Sequence, residues 1–435
     1  MSTLILFDAL LLTVLLVIGV PVPLCFAGAV LFLVLTGDFG SASFLVGAGY
    51  AKLSSIVLVA IPLYILAGGI MSRGGIAGRL VDLADTVFGR MRGGLGIVVI
   101  IATAIFGAIS GMASSAVAAI GTIMIPRMEE RGYDRAYATA LVSASAVLAL
   151  LIPPSASMIL FGWVTGTSIL ACFLAPVVPG LLLCLLLGIW NYVLTRRMPL
   201  VTPETATTRQ VAREFARRTK RAGFGLAMPL IILGFIYGGV PPPTEAAAVA
   251  VVYAIPVSIY LYRDMNWRDT GEVIWRAGQT TGVLMVLIFF AAMLGRVWTL
   301  ENVPQQIMEG FLHVSENPVV LLLLANLFLM IVGMFMEDVS GILLASPLLM
   351  PVMVHAGVDP VQFAAIVATN LGMGLITPPT APILYFAALI GKVPLAKMLP
   401  PTLVFVFLAS LPVVLLTTFV PSLSLALPRL VLGIP

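Results

Sequence analysis

The chain has 435 residues, of which 60% are hydrophobic and only 10% are charged, against about 25% charged residues in an average soluble domain. Apolar windows long enough to cross a bilayer, about 20 residues each, recur along almost the whole length. This composition excludes a soluble enzyme and predicts an all-α polytopic membrane protein. The net charge of +4 does not indicate a nucleic-acid partner, because the basic residues sit between the apolar segments.

The first apolar runs, near residues 4–20, 24–36 and 56–72, predict membrane helices. The next run, 95–125, contains FGAISGMASSAVAAIG in its middle. We expect this helix to break at Gly107–Gly111 and to turn back as a re-entrant hairpin. Irregular backbone at membrane depth persists only where it lines a cavity or is packed in protein.

A Pro-Pro pair follows inside the next apolar run, where residues 148–157 read LALLIPPSAS. Each proline removes a backbone N–H and leaves a carbonyl one turn earlier without its helical donor, and lipid cannot hydrate that carbonyl. The run therefore predicts a broken helix. The freed carbonyls must face protein, water or a bound cation.

Residues 196–222 form the most basic part of the chain and hold eight of its 23 Lys and Arg residues. They are Arg196, Arg197, Arg209, Arg213, Arg217, Arg218, Lys220 and Arg221. The positive-inside rule predicts that this loop is cytoplasmic. Val211, Phe215 and the flanking arginines indicate a short amphipathic helix on the bilayer surface; the alternative is a solvated run of charge.

The second half of the chain repeats the first at an offset of 225 residues, which places MGLITPPTAP (373–382) on the first Pro-Pro stretch. The matching pairs are Pro126 and Pro351, Met128 and Met353, Gly132 and Gly357, Asp134 and Asp359, Pro153 and Pro378, Pro154 and Pro379, and Gly166 and Gly391. Chance matching of apolar sequence would favour Leu and Ala. We therefore infer an internal repeat, with repeat 1 at about 56–195 and repeat 2 at about 274–420.

Paired broken helices in two repeats are typical of the binding site of a secondary transporter. Sodium is a hard cation, so carbonyl, hydroxyl and carboxylate oxygens suit it. In repeat 1 the candidate ligands are Ser110, Ser114, Ser115 and Ser155, with carbonyls around Ala149–Ile152. In repeat 2 they are Gly333, Asn370, Gly374, Thr377 and Thr380. The alternative for the small residues is close helix packing.

Three charged residues are weaker candidates for the substrate site. Glu337 and Asp338 adjoin an apolar segment, where carboxylates are functional by default, although both would also fit a hairpin tip in water. Arg296, in MLGRVW, is the arginine nearest to a membrane segment, and its side chain could equally extend to the interface. Asp134 and Asp359, which follow glycines at loop-to-helix junctions, are expected to be N-caps.

The sequence resembles the large, DctM-like membrane subunit of TRAP (tripartite ATP-independent periplasmic) transporters. The resemblance covers residues from about 60 to 400. It is carried by FGAISGMASSAVAAIGTIMIPRMEERGYD, LIPPS, PPPTEAAAVAVVYA, GMFMEDVSG, GVDP and NLGMGLITPPTAP. The family implies an elevator-type ion-transporter fold with two re-entrant hairpins in a mobile domain, and a multi-pass location in the bacterial inner membrane.

The family also implies a sodium gradient as the driving force, with sodium as the coupling ion and no other cofactor. Two protein partners are expected: a small four-helix TRAP membrane subunit on a separate chain, and a periplasmic substrate-binding protein. The binding protein would deliver a small organic acid of the carboxylate or sialic-acid-like class.

One departure from the family concerns the first hairpin, which usually reads Ser-Gly-Ser and carries an Asp a few residues later. Here these positions are Ser110-Gly111-Met112 and Ala116, so one hydroxyl and one carboxylate are missing. Ser114 or Ser115 could compensate, or the first ion site is weaker. Gly374, Thr377, Pro378 and Pro379 match the family in the second half.

Other classes of protein fit less well. A rhomboid-type protease needs Gly-x-Ser-Gly, whereas Ala108 to Gly111 lacks the first glycine, and the Asp-rich motifs of prenyl-transfer enzymes are missing. A channel would line one path with repeated polar rings. The remaining alternative is a proton-coupled carboxylate transporter that works without a binding protein. Its titrating group would be Glu337 or Asp338.

Overall fold

The computed structural model describes residues 3–37, 42–201, 208–238 and 242–433. Within these ranges the chain is helical and contains no β-strand. Among the described residues, seven helices are long and apolar enough to cross a membrane, and the number rises to nine if each of two bent helix pairs counts as one span. The prediction of an all-α polytopic membrane protein is confirmed.

The described residues form 24 α-helices, in chain order. They are α1 Thr3–Ile18, α2 Val22–Thr36, α3 Ala42–Leu53, α4 Ala60–Arg73, α5 Ile76–Phe88, α6 Gly94–Ser110, α7 Ala113–Ala116, α8 Thr122–Glu130, α9 Arg135–Ala146, α10 Leu148–Leu151, α11 Ala156–Thr165, α12 Ile169–Leu174, α13 Val177–Thr195, α14 Thr208–Tyr237, α15 Pro243–Pro256, α16 Trp267–Leu300, α17 Val303–Val314, α18 Pro318–Phe335, α19 Asp338–His355, α20 Pro360–Gly374, α21 Pro382–Gly391, α22 Leu395–Phe405, α23 Leu411–Phe419 and α24 Pro421–Leu432.

Two helical hairpins form the centre of the molecule. Hairpin 1 runs up α6 and turns at Gly111, whose φ of +64° is readily adopted by glycine. It returns through α7, a π-helical turn at Val117–Gly121, and α8. Hairpin 2 consists of α18 and α19, with Met336 and Glu337 at its tip. The predicted break at Gly107–Gly111 is confirmed.

Both Pro-Pro pairs interrupt helices, as predicted. In repeat 1 the helical direction changes by 44° between Arg135–Leu151 and Ala156–Thr165. In repeat 2, α20 ends at Gly374 and α21 begins at Pro382. The Pro153-Pro154 and Pro378-Pro379 peptide bonds are both cis.

The caps of the two broken helices also correspond. Asp134 accepts a hydrogen bond from the backbone N–H of Tyr137 at 2.8 Å, and Asp359 accepts one from Val361 at 2.7 Å. Both aspartates are therefore N-caps, as expected.

The offset of 225 residues holds well beyond the stretch in which the sequence reveals it. It aligns α6 with α18, and it aligns the second arm of hairpin 1, residues 113–130, with α19. It also places the amphipathic helix α5 on α17. The repeat is therefore a repeat of whole supersecondary units, in which an amphipathic helix precedes a hairpin and a broken helix.

In each repeat, the helix that follows the Pro-Pro pair packs against the other repeat. Helix α11, which follows the first Pro-Pro pair, packs on α19 of hairpin 2. Helix α21, which follows the second pair, packs on α9 and on the returning arm of hairpin 1. Arg135, on α9, holds the end of α21 in place, because its Nε donates a hydrogen bond to the carbonyl of Gly391 at 2.7 Å. The two halves thus form one interlocked body.

Seven of the remaining helices form a second group. Helix α16 packs on α2, α3 and α4, and α15 packs on α4 and α14. Helix α1 joins this group through Asp8, whose carboxylate accepts a hydrogen bond from Trp298 Nε1 at 3.1 Å. Hereafter the group of α1 to α4 with α14 to α16 is called the outer group.

The basic segment is helical where it is described, and the helix over Arg213–Lys220 lies at 64° to the apolar helix over Ala222–Tyr237. One side of this helix is held against α5 and the turn after it, because Glu214 pairs with Arg90 at 2.8 Å and Arg218 donates to the carbonyl of Asp82. The side chains of Val211 and Arg209, and residues 202–207, lie outside the described part of the chain.

Candidate functional site

The tip of hairpin 1 lies directly against the first Pro-Pro break. The backbone N–H of Ala156 donates to the carbonyl of Gly111 at 3.3 Å. A Cβ atom added at Gly111 would lie 3.0 Å from the Pro154 carbonyl oxygen, so the two backbones approach as closely as a glycine allows. Gly107 has the same role one turn earlier, since its Cβ would lie 2.5 Å from Ala149 Cα.

The two segments in contact carry four oxygen atoms that are together called the first half-site below. The hydroxyls of Ser110 and Ser155 are buried and have no hydrogen-bond partner among the described residues. The carbonyls of Ala149 and Leu150 would accept from residues 153 and 154 in a continuous helix, but both of those are proline. In the described structure no other group donates to these two carbonyls.

A lack of partners alone does not mark an ion site here. Ser143 and Ser145, on α9, are also buried without a partner among the described residues. Ser110 and Ser155 differ because they lie at the ends of interrupted helices, beside carbonyls that are also free. Ser114 and Ser115 lie on α7, which packs on α10 and α21, and both are half-buried.

The second half-site is built around the contact of two glycines. A Cβ on Gly374 would lie 2.6 Å from the carbonyl carbon of Gly333 and 2.8 Å from the Met330 carbonyl oxygen. Helix α18 of hairpin 2 thereby touches the end of α20. Gly333 and Gly374, which are both sequence candidates for the second site, are therefore in direct contact.

At the second break, the two carbonyls that lose their helical donors to Pro378 and Pro379 accept hydrogen bonds from other backbone groups. The backbone N–H of Thr377 donates to the carbonyl of Gly374 at 2.9 Å, and that of Ile383 donates to Leu375 at 3.1 Å. The Thr377 hydroxyl donates to the Met373 carbonyl at 2.6 Å. The buried hydroxyl oxygen of Thr380 has no partner among the described residues.

Asn370 lies fully buried one turn before this break and belongs to a network across three helices. Its Nδ2 donates to Asn326 Oδ1 at 2.6 Å and to the Ile366 carbonyl at 2.8 Å. Asn326 Oδ1 also accepts from the Thr418 hydroxyl at 3.1 Å. The Oδ1 atom of Asn370 accepts no hydrogen bond in the described structure. Asn326 and Thr418 were not predicted, although a lone Asn in the apolar run 318–335 was a usable signal.

Asp338 connects the two repeats. The Ser157 hydroxyl, one turn beyond the first Pro-Pro pair, donates a hydrogen bond to the Asp338 carboxylate at the start of α19. Glu337 is the exposed residue of the same tip. The internal repeat places Met112 and Ala113 at the equivalent positions of hairpin 1, so the acidic pair is confined to one tip.

Arg296 does not join either half-site. Its side chain is exposed, and its guanidinium lies 5.3 Å from the centre of the Phe44 ring on α3. This places it in the outer group.

Comparison with known proteins decides the family. Residues 9–423 match the model of the family described as "Tripartite ATP-independent periplasmic transporter, DctM component". The chain belongs to this family. It is therefore a large permease subunit of a TRAP transporter and a multi-pass protein of the inner membrane, and its relatives are transporter permeases rather than enzymes.

Two relatives illustrate the range of this TRAP family. The chain is 37% identical to the C4-dicarboxylate TRAP transporter large permease protein DctM of Pseudomonas aeruginosa, over 86% of each chain. It is 34% identical to the sialic acid TRAP transporter large permease protein SiaM of Vibrio cholerae, over 93% of each chain.

Among solved structures, the YdaH transporter of Alcanivorax borkumensis has a similar fold. It superposes with a TM-score of 0.55, at 19% identity, over 87% of this chain and 88% of that one. At this level of identity the likeness concerns the fold alone.

Proposed function

We propose that this TRAP permease subunit is a sodium-driven secondary transporter that imports an organic acid handed over by a periplasmic binding protein. The small four-helix TRAP membrane subunit would be its partner in the bilayer. The observation that supports sodium coupling best is the first half-site, where an interrupted helix and a hairpin tip are in contact and both carry oxygen atoms without donors.

The chemistry of the first half-site suits sodium. Leaving a buried oxygen without a partner costs about 1 to 3 kcal/mol, and a bound hard cation offsets that cost by taking several oxygens at once. Ser110, Ser155 and the carbonyls of Ala149 and Leu150 supply two hydroxyl and two carbonyl oxygens.

The second half-site would hold a cation with a different set of oxygens. Gly374 and Leu375 carbonyls already accept backbone hydrogen bonds, so side chains matter more here. Asn370 Oδ1 and Thr380 Oγ1 have no partner among the described residues. The Thr377 hydroxyl donates a hydrogen bond to the Met373 carbonyl and keeps its lone pairs for a cation.

The substrate would lie between the two tips, where the repeats meet at Ser157 and Asp338. The names of the two relatives specify a C4-dicarboxylate and sialic acid, which are both organic acids. We therefore propose an organic acid of the same broad class as the cargo, and sodium ions at the two half-sites as its co-transported cations.

An elevator-type motion fits the division of the fold. The two hairpins and the broken helices interlock through α11 with α19 and α21 with α9, while the outer group packs largely on itself. We propose that the interlocked body moves as a unit against the outer group.

Transport in proteoliposomes tests this function. The chain, its small membrane subunit and its binding protein would be reconstituted, and uptake of radiolabelled organic acids would be measured under an inward sodium gradient or an inward proton gradient. Sodium-dependent uptake without a pH gradient supports the proposal. Uptake that follows only the proton gradient contradicts it and favours the proton-coupled alternative.

A further inference from the structure

A cavity of about 1080 Å³ opens at the base of hairpin 1, at the opposite end from its tip. Its walls are α5, the end of α8, the middle of α14 and the segment before α16. Neither half-site contributes a lining residue. The cavity lies at a junction, because α8 belongs to the interlocked body and α14 belongs to the outer group.

The lining is charged and carries an excess of cations. Six basic and four acidic side chains line the cavity. The basic residues are Arg79, Arg127, Arg131, Arg217, Arg218 and Lys220, and the acidic residues are Asp82, Asp85, Glu130 and Asp264. Three basic residues are held by acidic partners. Arg127 pairs with Asp82 at 2.8 Å, Arg218 with Asp85 at 3.6 Å, and Arg79 with Asp264.

Arg131, Arg217 and Lys220 have no carboxylate within ion-pair distance in the described part of the chain. Arg131 makes one long hydrogen bond, of 3.5 Å, to the Gly89 carbonyl. Arg217 and Lys220 are exposed on α14. Glu130 is the one lining carboxylate without a basic partner among the described residues. The cavity therefore presents an excess of positive charge from two walls.

Apolar side chains line the same space. They are Val81, Leu95, Met124, Phe224 and Leu261. Phe224 and Leu261 are 47% and 51% exposed, so a ligand can cover them. An anion with an attached hydrocarbon part fits this combination better than a free inorganic ion does.

The internal repeat shows that packing does not require these charges. At the offset of 225 residues, Val352, His355 and Ala356 replace Arg127, Glu130 and Arg131. Helix α17, the counterpart of α5, packs on α19 all the same. A hairpin can therefore pack beside its amphipathic helix without these three charged side chains.

We propose that this cavity binds the headgroup of an anionic phospholipid. Basic pockets between helices on the cytoplasmic side of a membrane bind such headgroups, and the basic segment 196–222, which supplies Arg217 and Lys220, is predicted to be cytoplasmic. The phosphate lies between Arg131, Arg217 and Lys220, and the glycerol and first methylenes cover the apolar side chains. The lipid thereby links α8 of hairpin 1 to α14.

The test is the thermal unfolding midpoint of the purified full chain in vesicles at constant ionic strength. Phosphatidylcholine vesicles are compared with vesicles of phosphatidylcholine and phosphatidylglycerol, and inorganic phosphate is added to the first kind in a third arm. The variant is Arg217→Gln with Lys220→Gln. The matched control is Lys392→Gln with Lys397→Gln, which removes the same charge from exposed residues outside the cavity.

We expect phosphatidylglycerol to raise the midpoint of wild type and control, and the cavity variant to lose at least half of that rise. Arg131→Gln, on the opposite wall, should give the same loss and serves if the double variant does not fold. An equal rise in all proteins would overturn the proposal, because it would reflect general surface charge. A full rise with inorganic phosphate alone would overturn the lipid assignment.

Discussion

The Ser157 hydroxyl donates a hydrogen bond to the carboxylate of Asp338 and so joins the broken helix of repeat 1 to the hairpin tip of repeat 2. Ser157 is fully buried and Asp338 is partly buried. One partner lies one turn beyond the first Pro-Pro pair and the other lies at the second tip, so this bond is a direct polar contact between the two repeats.

The first prediction concerns the strength of this bond. Hydrogen bonds between membrane helices contribute about 0.6 to 2 kcal/mol, so Ser157→Ala and Asp338→Ala should show a coupling energy in that range. The measurement is a double-mutant cycle on the free energy of unfolding in detergent. Ser145→Ala, a buried serine without a partner among the described residues, is the control and should not couple to Asp338→Ala. Zero coupling for Ser157 would contradict the structure.

The second prediction concerns the glycine contact of the second half-site. Gly374→Ala should lower the free energy of unfolding by about 1 to 3 kcal/mol, because overpacking against rigid atoms is costly. The atoms that the new Cβ would meet belong to the backbone of Gly333 and Met330, so no side chain can move aside.

Gly278→Ala is the matched control for this change. Gly278 lies on α16 with no atom within 4 Å of its added Cβ, and alanine is the better helix former. Its stability should stay unchanged or rise by about 0.4 to 1 kcal/mol. Equal effects of the two substitutions on the unfolding midpoint would mean that α18 and α20 are not in contact as described.

The third prediction concerns the buried amide network. Asn326→Ala removes the acceptor of both Asn370 Nδ2 and the Thr418 hydroxyl and should cost about 1 to 3 kcal/mol. Thr418→Val should cost less, because Asn326 keeps its bond to Asn370. Chemical unfolding in detergent checks the order. If Thr418→Val proves the more damaging change, the network is arranged differently.

The fourth prediction separates sodium coupling from proton coupling. Glu337→Gln with Asp338→Asn removes both carboxylates of the second tip, beside the proposed substrate position. The uptake that remains should still be driven by sodium and should depend on pH as weakly as that of wild type. The measurement is initial uptake against pH in the reconstituted system. A steep pH dependence in wild type that this variant abolishes would establish one of the two acids as the proton carrier.

Much of the fold followed from residues whose backbone chemistry is unusual. Pro153, Pro154, Pro378 and Pro379 cannot continue a membrane helix, so the breaks were predictable, and Gly111 marked the turn of hairpin 1. The repeat was recognised between 126 and 166 only. Its hairpins consist mostly of interchangeable apolar residues, so that α6 and α18 share no identity at the same offset and the returning arms share only a few, such as Ser115 and Ser340.

The candidate site was only partly predictable because its contacts are between segments far apart in sequence. Ser110 and Ser155 could be named from their place beside Gly111 and Pro154. The partners Ser157 and Asp338 are 181 residues apart, and no periodicity connects them. Thr377 and Ile383 donate backbone hydrogen bonds to the Gly374 and Leu375 carbonyls. These bonds depend on the loop conformation, which the Pro-Pro pair alone does not fix.

The most direct test of the central claim is sodium binding at the two breaks. Thermal unfolding of the purified chain would be compared in sodium chloride and potassium chloride at equal ionic strength, for wild type, Ser155→Ala and Thr377→Ala. A site at ten times its dissociation constant stabilises by about 1.4 kcal/mol. We expect a sodium-specific rise of the midpoint in wild type that each substitution reduces. Identical curves in the two salts for wild type would contradict sodium binding at these sites.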